Sequence, residues 1–176
     1  MSTHPQHLPQ PQGAPAAVDE AARDGAVRQG GGIAAGSIVL TADGALPVEH
    51  LTPGDRIITR DGLRRLRGVT ARCLRRVQAV RIGASTLDRD RPETDLLVAP
   101  DQKVLVRDWR AKALFGAPQA MVEARRLIDG EFIRSEPVET LRLFDLDLGG
   151  PAVIYANGLE LGLDPVPAAA AVTAEA

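Results

Sequence analysis

Three turn signals lie close together in residues 32–62, and they constrain the fold more than any other feature of the sequence. Two are the Asp-Gly pairs Asp43-Gly44 and Asp61-Gly62, and the third is Pro53-Gly54-Asp55. Asp-Gly favours tight hairpin turns because glycine adopts positive φ without steric cost. The apolar segments between these turns are too short for a long helix. The spacing therefore predicts a compact β unit.

Short strands also dominate the prediction for the rest of the folded region. Apolar or alternating runs predict strands at 63–74 with an irregularity near Gly68, 77–82, 96–98, 103–108, 132–133, 138–148, 153–155 and 159–161. The last two runs flank Asn157-Gly158, which is a hairpin signal. Residues 109–115 form either a short helix or an irregular turn. Residues 121–128 have near-helical spacing that ends at Asp129-Gly130.

A faint internal repeat links the two halves of this region. Residues 48–57 and 122–133 each contain a Val-Glu pair, a leucine, a corner of glycine with an acidic residue, and an apolar strand. Such a repeat suits a β fold with two-fold pseudo-symmetry.

The composition divides the chain into one domain and two tails. Residues 1–31 are rich in Pro, Gln, Ala and Gly, and residues 165–176 are rich in Ala and Pro, so both are predicted to be disordered. Residues 32–164 form the predicted domain. No secretory signal or membrane span is recognisable, which predicts a cytoplasmic location by default, with non-classical secretion as the alternative.

Charge and residue counts narrow the classes of function. The net charge of −2 argues against nucleic acid or a membrane surface as a partner. Six arginines between Arg64 and Arg76 would suit a nucleic-acid patch, but no aromatic residues interleave with them, so a solvated strand face is favoured. With the single cysteine Cys73 and one histidine, His50, in the predicted domain, we expect no metal and no cofactor. An unidentified protein remains as the possible partner. The sequence does not indicate an oligomeric state.

Several ordered motifs resemble the Hint (Hedgehog/intein) family, including Hint-type domains of bacterial proteins. The matching segments are GSIVLTADG (36–44), PVEHLTPGDRIITRDG (47–62), DLLVAPDQKVLVRDWRA (95–111), LFG (114–116), LFD (143–145) and ANGL (156–159). They run in family order over roughly residues 32–164. The resemblance implies an all-β, pseudo-two-fold, horseshoe-like fold with one short helix.

The resemblance also implies a chemistry, autoproteolysis by an N-to-S or N-to-O acyl shift. In the family, a Cys or Ser at the first position attacks the preceding carbonyl, supported by a Thr-x-x-His element. The first position here is Gly32, which has no nucleophile, and the Thr and His positions hold Ala99 and Gln102. A glutamine amide cannot donate a proton at neutral pH. Asp147 stands where relatives often carry a histidine, and no His-Asn pair follows Gly158.

These differences predict a degenerate autoprocessing domain, more a binding or structural module than an enzyme. The alternative is residual autoprocessing or a hydrolase activity that uses Ser37, Asp101 or Asp147 as substitutes. Ser37 matches a hydroxyl position of the family and is more simply a strand-start residue. Asp101, Asp145 and Asp147 would suit paired carboxylates in acid–base chemistry, but Asp101 and Asp145 are more simply turn or strand-end residues. Cys73 and His50 are weaker candidates, since an isolated cysteine is usually inert and His50 is predicted to lie on the surface.

Overall fold

The computed structural model describes residues 31–87 and 90–166, which form two antiparallel sheets and one short helix. The strands are β1 (Ile33–Ala34), β2 (Ile38–Thr41), β3 (Gly44–Pro47), β4 (Arg56–Thr59), β5 (Gly62–Arg65), β6 (Gly68–Ile82), β7 (Leu96–Val98), β8 (Lys103–Val106), β9 (Ala120–Glu123), β10 (Ile133–Asp147), β11 (Ala152–Ala156) and β12 (Leu159–Leu163). The helix α1 spans Trp109–Phe115, and 3-10 turns span Val48–His50 and Ala124–Leu127. The predicted all-β fold with one short helix is confirmed.

The two longest strands, β6 and β10, pair along their whole length. Their register runs from Ile82 opposite Ile133 to Gly68 opposite Asp147. β1 and β7 flank this pair, giving the order β1-β10-β6-β7. The second sheet has the order β3-β2-β4-β11-β12-β8-β9, with β5 paired to β4.

The two Asp-Gly turns share the same hydrogen bond from a threonine hydroxyl. Thr41 and Thr59 are buried, and each hydroxyl donates to the carbonyl of the glycine three residues later, at 2.7 and 2.6 Å. Both glycines, Gly44 and Gly62, have positive φ. The sequence Thr-x-Asp-Gly therefore closes each hairpin, because the buried hydroxyl finds a backbone acceptor and glycine accepts the backbone geometry.

The internal repeat predicted from the sequence has a structural counterpart. The β2–β3 and β8–β9 pairs are each followed by a 3-10 turn and then by a corner in which Gly54 or Gly130 has positive φ. The prediction of helical spacing at residues 121–128 was wrong for the first half of the segment. Val122 pairs with Val104 of β8, and this strand pairing outweighs the local spacing.

The structure also defines the short helix and the strands near Gly68. α1 is a true helix, because the Asp108 carboxylate accepts from the Arg110 amide at its start and Gly116 adopts the left-handed conformation at its end. The two strands predicted over 63–82 are instead β5 and the single strand β6. Within β6, Arg76 has a φ of 49°, so the strand is distorted there without ending.

Two groups of buried side chains form the core. The larger lies between the sheets and includes Phe144 and Leu146 of β10. The smaller lies against the opposite face of β10 and comprises Ala34, Ala79, Ala99, Leu141 and Leu143. Since β10 buries alternate residues on both faces, it is the centre of the domain.

The tail predictions fall largely on residues 1–30 and 167–176, which lie outside the described residues. Within the described ranges, the structure contains no helix with the length and apolar character needed to cross a membrane.

The left-handed corner at Gly130 yields a stability prediction. An added Cβ would meet no atom within 4 Å, so Gly130→Ala introduces backbone strain alone. We expect the free energy of unfolding to fall by about 1 kcal/mol in urea denaturation. Gly68→Ala is the control, because Gly68 lacks positive φ and its nearest new contact would be at 3.9 Å. An equal effect of the two substitutions would contradict this explanation.

Asp129, which precedes that corner, yields a pH prediction. Burial raises the pKa of its carboxyl, but hydrogen bonds from the backbone of Ile133, Glu131 and Phe132 and the charge of Arg110 outweigh burial, so the pKa lies below its ordinary value. A lowered folded-state pKa stabilises the fold above the unfolded pKa, and this contribution is lost as pH falls through the folded pKa.

We therefore expect Asp129→Asn to cost about 1 kcal/mol at neutral pH and progressively less as the pH falls below about 4. Urea denaturation at a series of pH values measures this difference. Asp43→Asn is the control, because Asp43 makes a single exposed ion pair with Arg56 at 3.4 Å. A cost of Asp129→Asn that stayed constant with pH would refute the electrostatic explanation.

Candidate functional site

The candidate site surrounds the peptide bond between Gly31 and Gly32, where the described chain enters the domain. The Gly31 carbonyl accepts a hydrogen bond from Arg72 Nη2 at 2.9 Å. The same guanidinium donates to the Asp145 carboxylate, with Nε to Oδ2 at 2.7 Å and Nη2 to Oδ1 at 3.4 Å. Arg72 therefore links this peptide to β10.

Strand pairing explains how these groups come together. β1 pairs with β10, with Ile33 opposite Phe144 and Ala34 opposite Leu143. Continuing that antiparallel register places Gly32 beside Asp145. On the other side of β10, Arg72 of β6 lies opposite Leu143. The site is thus assembled across three neighbouring strands.

Gly32 is buried, and the space where a side chain would begin is occupied. A Cβ at Gly32 would lie 2.9 Å from Asp145 Oδ1, 3.1 Å from Arg72 Nη2 and 3.2 Å from Leu143 Cβ. The φ of Gly32 lies outside the left-handed region, so its backbone conformation does not demand glycine. The constraint is spatial, because the Arg72–Asp145 ion pair would have to shift to admit a side chain at this position.

Gln102 contacts the other side of the same peptide. A Cβ at Gly31 would lie 2.8 Å from Gln102 Oε1 and 3.0 Å from its Cα. Gln102 is fully buried, and its Nε2 donates to the carbonyls of Lys103 and Gly162, each at 2.9 Å. Its Oε1 has no hydrogen-bond partner in the part of the chain that the structure describes. Both amide hydrogens are thus engaged in holding β8 and β12, and the acceptor oxygen points toward Gly31.

Ala99 lies in an apolar environment. It is 1% exposed and belongs to the smaller core cluster with Ala34 and Leu143. The Ala99 carbonyl accepts from the Gln102 amide at 3.0 Å, which fixes the turn that presents Gln102. A methyl group therefore occupies the position at which the family motif has a threonine hydroxyl.

Asp101 is directed to a different partner. Its Oδ1 lies 2.9 Å from Arg125 Nη1, in an ion pair whose angles do not meet hydrogen-bond geometry. Arg125 also binds Glu123 at 2.7 Å. The pKa of Arg125 is raised, first by the hydrogen bond with Glu123 and then by the charges of Asp101 and Glu123. Asp101 is therefore held in a structural ion-pair network.

The remaining candidate residues have other neighbours. Asp147 lies opposite Gly68, and its Oδ1 accepts from the Gly149 amide at 2.8 Å. Ser37 is buried in the connection between β1 and β2, where its carbonyl accepts from the Val48 amide. His50 is exposed in the first 3-10 turn, and Cys73 is exposed on β6. The structure thus brings Gly32, Ala99 and Gln102 together and directs Asp147 to a turn.

Arg72 is a site residue that the sequence analysis did not single out, whereas Asp145 was weighed as a paired carboxylate and interpreted as a turn or strand-end residue. Asp145 is the last residue of the LFD segment and shares a face of β10 with Leu143, two residues before it. That alternation could have placed Asp145 on the same face as Leu143, although the sequence was interpreted as a turn or strand end at this residue. Arg72 was one of six similar arginines, and only the β6–β10 register distinguishes it.

Among the described residues, the contacts at the Gly31–Gly32 peptide involve few kinds of side chain. The side chains in these contacts are a guanidinium, a carboxylate, an amide and aliphatic groups, without a thiol, hydroxyl or imidazole. Nor do the described residues contain a cluster of three or more His, Cys, Asp or Glu side chains suited to a metal ion.

Comparison with known proteins gives the family. A family model described as a Hint domain matches residues 32–161, so the chain belongs to the Hint domain family. This is a family with autoprocessing capacity. No curated protein matches the sequence.

Two solved structures illustrate the shared fold. The crystal structure of the gp41-1 intein is 13% identical with a TM-score of 0.50, over 77% of this chain and 99% of that one. The solution structure of a bacterial intein-like domain from Clostridium thermocellum is 16% identical with a TM-score of 0.50, over 77% of this chain and 99% of that one. At these identities the likeness establishes the fold alone.

The crowding at Gly32 yields a prediction about coupled residues. Gly32→Ala places a methyl group against the Arg72–Asp145 pair and should lower the free energy of unfolding by about 1–3 kcal/mol. In an Asp145→Ala background the cost should shrink, because the closest contact is gone. Chemical denaturation of the four variants of the double-mutant cycle measures this coupling. Gly150→Ala, whose nearest new contact is at 4.0 Å, should instead combine additively with Asp145→Ala. Equal costs of Gly32→Ala in both backgrounds would disprove the steric coupling.

Proposed function

We propose that this Hint domain keeps the Gly31–Gly32 peptide intact and acts as a non-processing binding or structural module. The observation that carries the proposal is the replacement of a nucleophile by an ion pair. At Gly32 the space for a side chain is filled by Asp145 and Arg72, and Arg72 binds the Gly31 carbonyl.

The chemistry of an acyl shift supports this proposal. The reaction needs a nucleophile within reach of the carbonyl carbon and a proton donor for the leaving nitrogen. Arg72 does polarise the Gly31 carbonyl, but polarisation alone supplies neither group. Gln102 stands beside the peptide with both amide hydrogens already donated to Lys103 and Gly162. The geometry therefore favours holding the peptide over cleaving it.

The alternative is residual autoprocessing or hydrolysis through Ser37, Asp101 or Asp147. Each of these residues has a structural role in the described chain that competes with catalysis. Ser37 is buried five residues beyond Gly32, Asp101 pairs with Arg125, and Asp147 binds the Gly149 amide. The contacts therefore support the non-processing function.

Intact-mass spectrometry tests the proposal directly. The purified chain is incubated with dithiothreitol or hydroxylamine at neutral and mildly alkaline pH, and its mass is followed over days. We expect only the full-length mass, because no acyl intermediate forms for these reagents to attack. A sample spiked with a synthetic peptide of residues 1–31 sets the detection limit.

Release of residues 1–31 at the Gly31–Gly32 bond would overturn the proposal. In that event, Ser37→Ala, Asp101→Asn and Asp147→Asn would identify the group responsible. Loss of release in one of these variants, with circular dichroism unchanged, would assign the activity to that residue.

A further inference from the structure

An open groove of about 650 Å³ runs beside the middle of β6. It lies between β6, the turn that follows β7, and the end of the second 3-10 turn. Its apolar lining comprises Leu74, Val77, Val80, Ala99, Pro100 and Ile128. Ala99 also belongs to the cluster behind the Gly31–Gly32 peptide, so the groove adjoins the candidate site without including its polar groups.

One wall of this groove is a free strand edge. β7 pairs with β6 only at Val80, Arg81 and Ile82. Over residues 68–79, the other described strand paired with β6 is β10, which occupies the opposite edge. The backbone N–H and C=O groups that face away from β10 are therefore available to an added strand. The groove residues Cys73 to Gln78 are consecutive along this edge.

The groove also carries positive charge. Arg75 and Arg76 line it, and within the described ranges neither forms an ion pair. Arg125 lines it as well, although Asp101 and Glu123 already bind its guanidinium. Glu139 lies between the β10 residues that pair with Val77 and Arg75, and no ion pair joins it to Arg76 within the described ranges. The free cationic groups at this edge are thus Arg75 and Arg76.

We propose that this groove binds an extended acidic peptide from a partner protein as an added strand on the free edge of β6. The distortion at Arg76, where φ is positive, lets Leu74 and Val77 both pack against the smaller core cluster. Alternate side chains of the added strand would contact these two residues, while the others carry carboxylates to Arg75 and Arg76. Backbone hydrogen bonds supply the general affinity, and the two arginines select acidic sequences. The inference rests on the proposed non-processing function, because it names the class of partner that such a module would bind.

A second copy of the chain fits this edge less well than an acidic peptide. An antiparallel pairing of two β6 edges would bring Arg75 and Arg76 of each copy close to the same arginines of the other. Like charges across neighbouring strands are destabilising. Charge complementarity therefore favours a peptide of opposite charge.

Fluorescence anisotropy with three labelled nonapeptides tests the proposal. The first alternates Val with Asp or Glu, the second has Lys in place of each acidic residue, and the third is the acidic peptide with every second backbone nitrogen methylated. We expect the acidic peptide to bind at least about tenfold more tightly than the other two, because they lose the charge pairing or the strand hydrogen bonds. Hydrogen exchange should show protection of residues 72–78 by the acidic peptide alone.

Charge-reversal variants provide the matched test. Arg75→Glu with Arg76→Glu should weaken binding of the acidic peptide at least about tenfold. Arg65→Glu with Lys112→Glu makes the same change in net charge at exposed positions outside the groove and should leave binding unchanged. Circular dichroism of both variants checks that the fold is retained.

Three outcomes would overturn the inference. In the first, the acidic peptide does not bind at about 1 mM. In the second, the acidic and lysine peptides bind equally well. In the third, the two charge-reversal variants lose the same amount of affinity for the acidic peptide. Sedimentation that shows a dimer abolished by the groove variant would assign the edge to a second copy instead. Each of these results can occur with the Gly31–Gly32 bond intact, so they are independent of the mass-spectrometric test.

Discussion

The pairing of β6 with β10 is the interaction on which the rest of this structure depends. It spans residues 68–82 and 133–147, far longer than the other strand pairs. β1 and β7 attach to its two edges, and both core clusters contain residues of β10. The same register places Arg72 and Asp145 within reach of each other from opposite strands. A shift of one residue would exchange the two faces of β10 and move Asp145 into the apolar core.

The contacts at the Gly31–Gly32 peptide hold the start of the domain against its centre. Arg72 binds the Gly31 carbonyl, and Gln102 Oε1 lies 2.8 Å from the place that a Cβ at Gly31 would take. The guanidinium and carboxylate neutralise each other, and the buried amide of Gln102 ties β8 to β12. Removal of one partner from a buried ion pair destabilises a fold because the other charge is left uncompensated, so we expect Arg72 and Asp145 to depend on each other.

The sequence predicted the turns and the fold class well because their signals are local. Each predicted hairpin turn favours its backbone conformation through its own two residues. The structure places all three between paired strands, at Asp43-Gly44, Asp61-Gly62 and Asn157-Gly158. The family motifs then located Gly32, Ala99 and Gln102, which the fold brings together. Residues 121–128 were harder, because Val122 takes its conformation from a partner strand. The pairing of Arg72 with Asp145 was not predicted, because the two residues are 73 positions apart in the sequence and meet only through the strand register.

The filled space at Gly32 also limits how the domain could change. A thiol or hydroxyl introduced there by a single substitution would enter a position already occupied by Asp145 and Arg72, before any catalytic benefit could arise. Asp145 would have to be replaced or displaced first, which leaves Arg72 without its carboxylate. Any side chain at position 32 is therefore coupled to the ion pair that binds the Gly31 carbonyl. A substitution at one of these places alters the environment of the other, so the two are expected to change together.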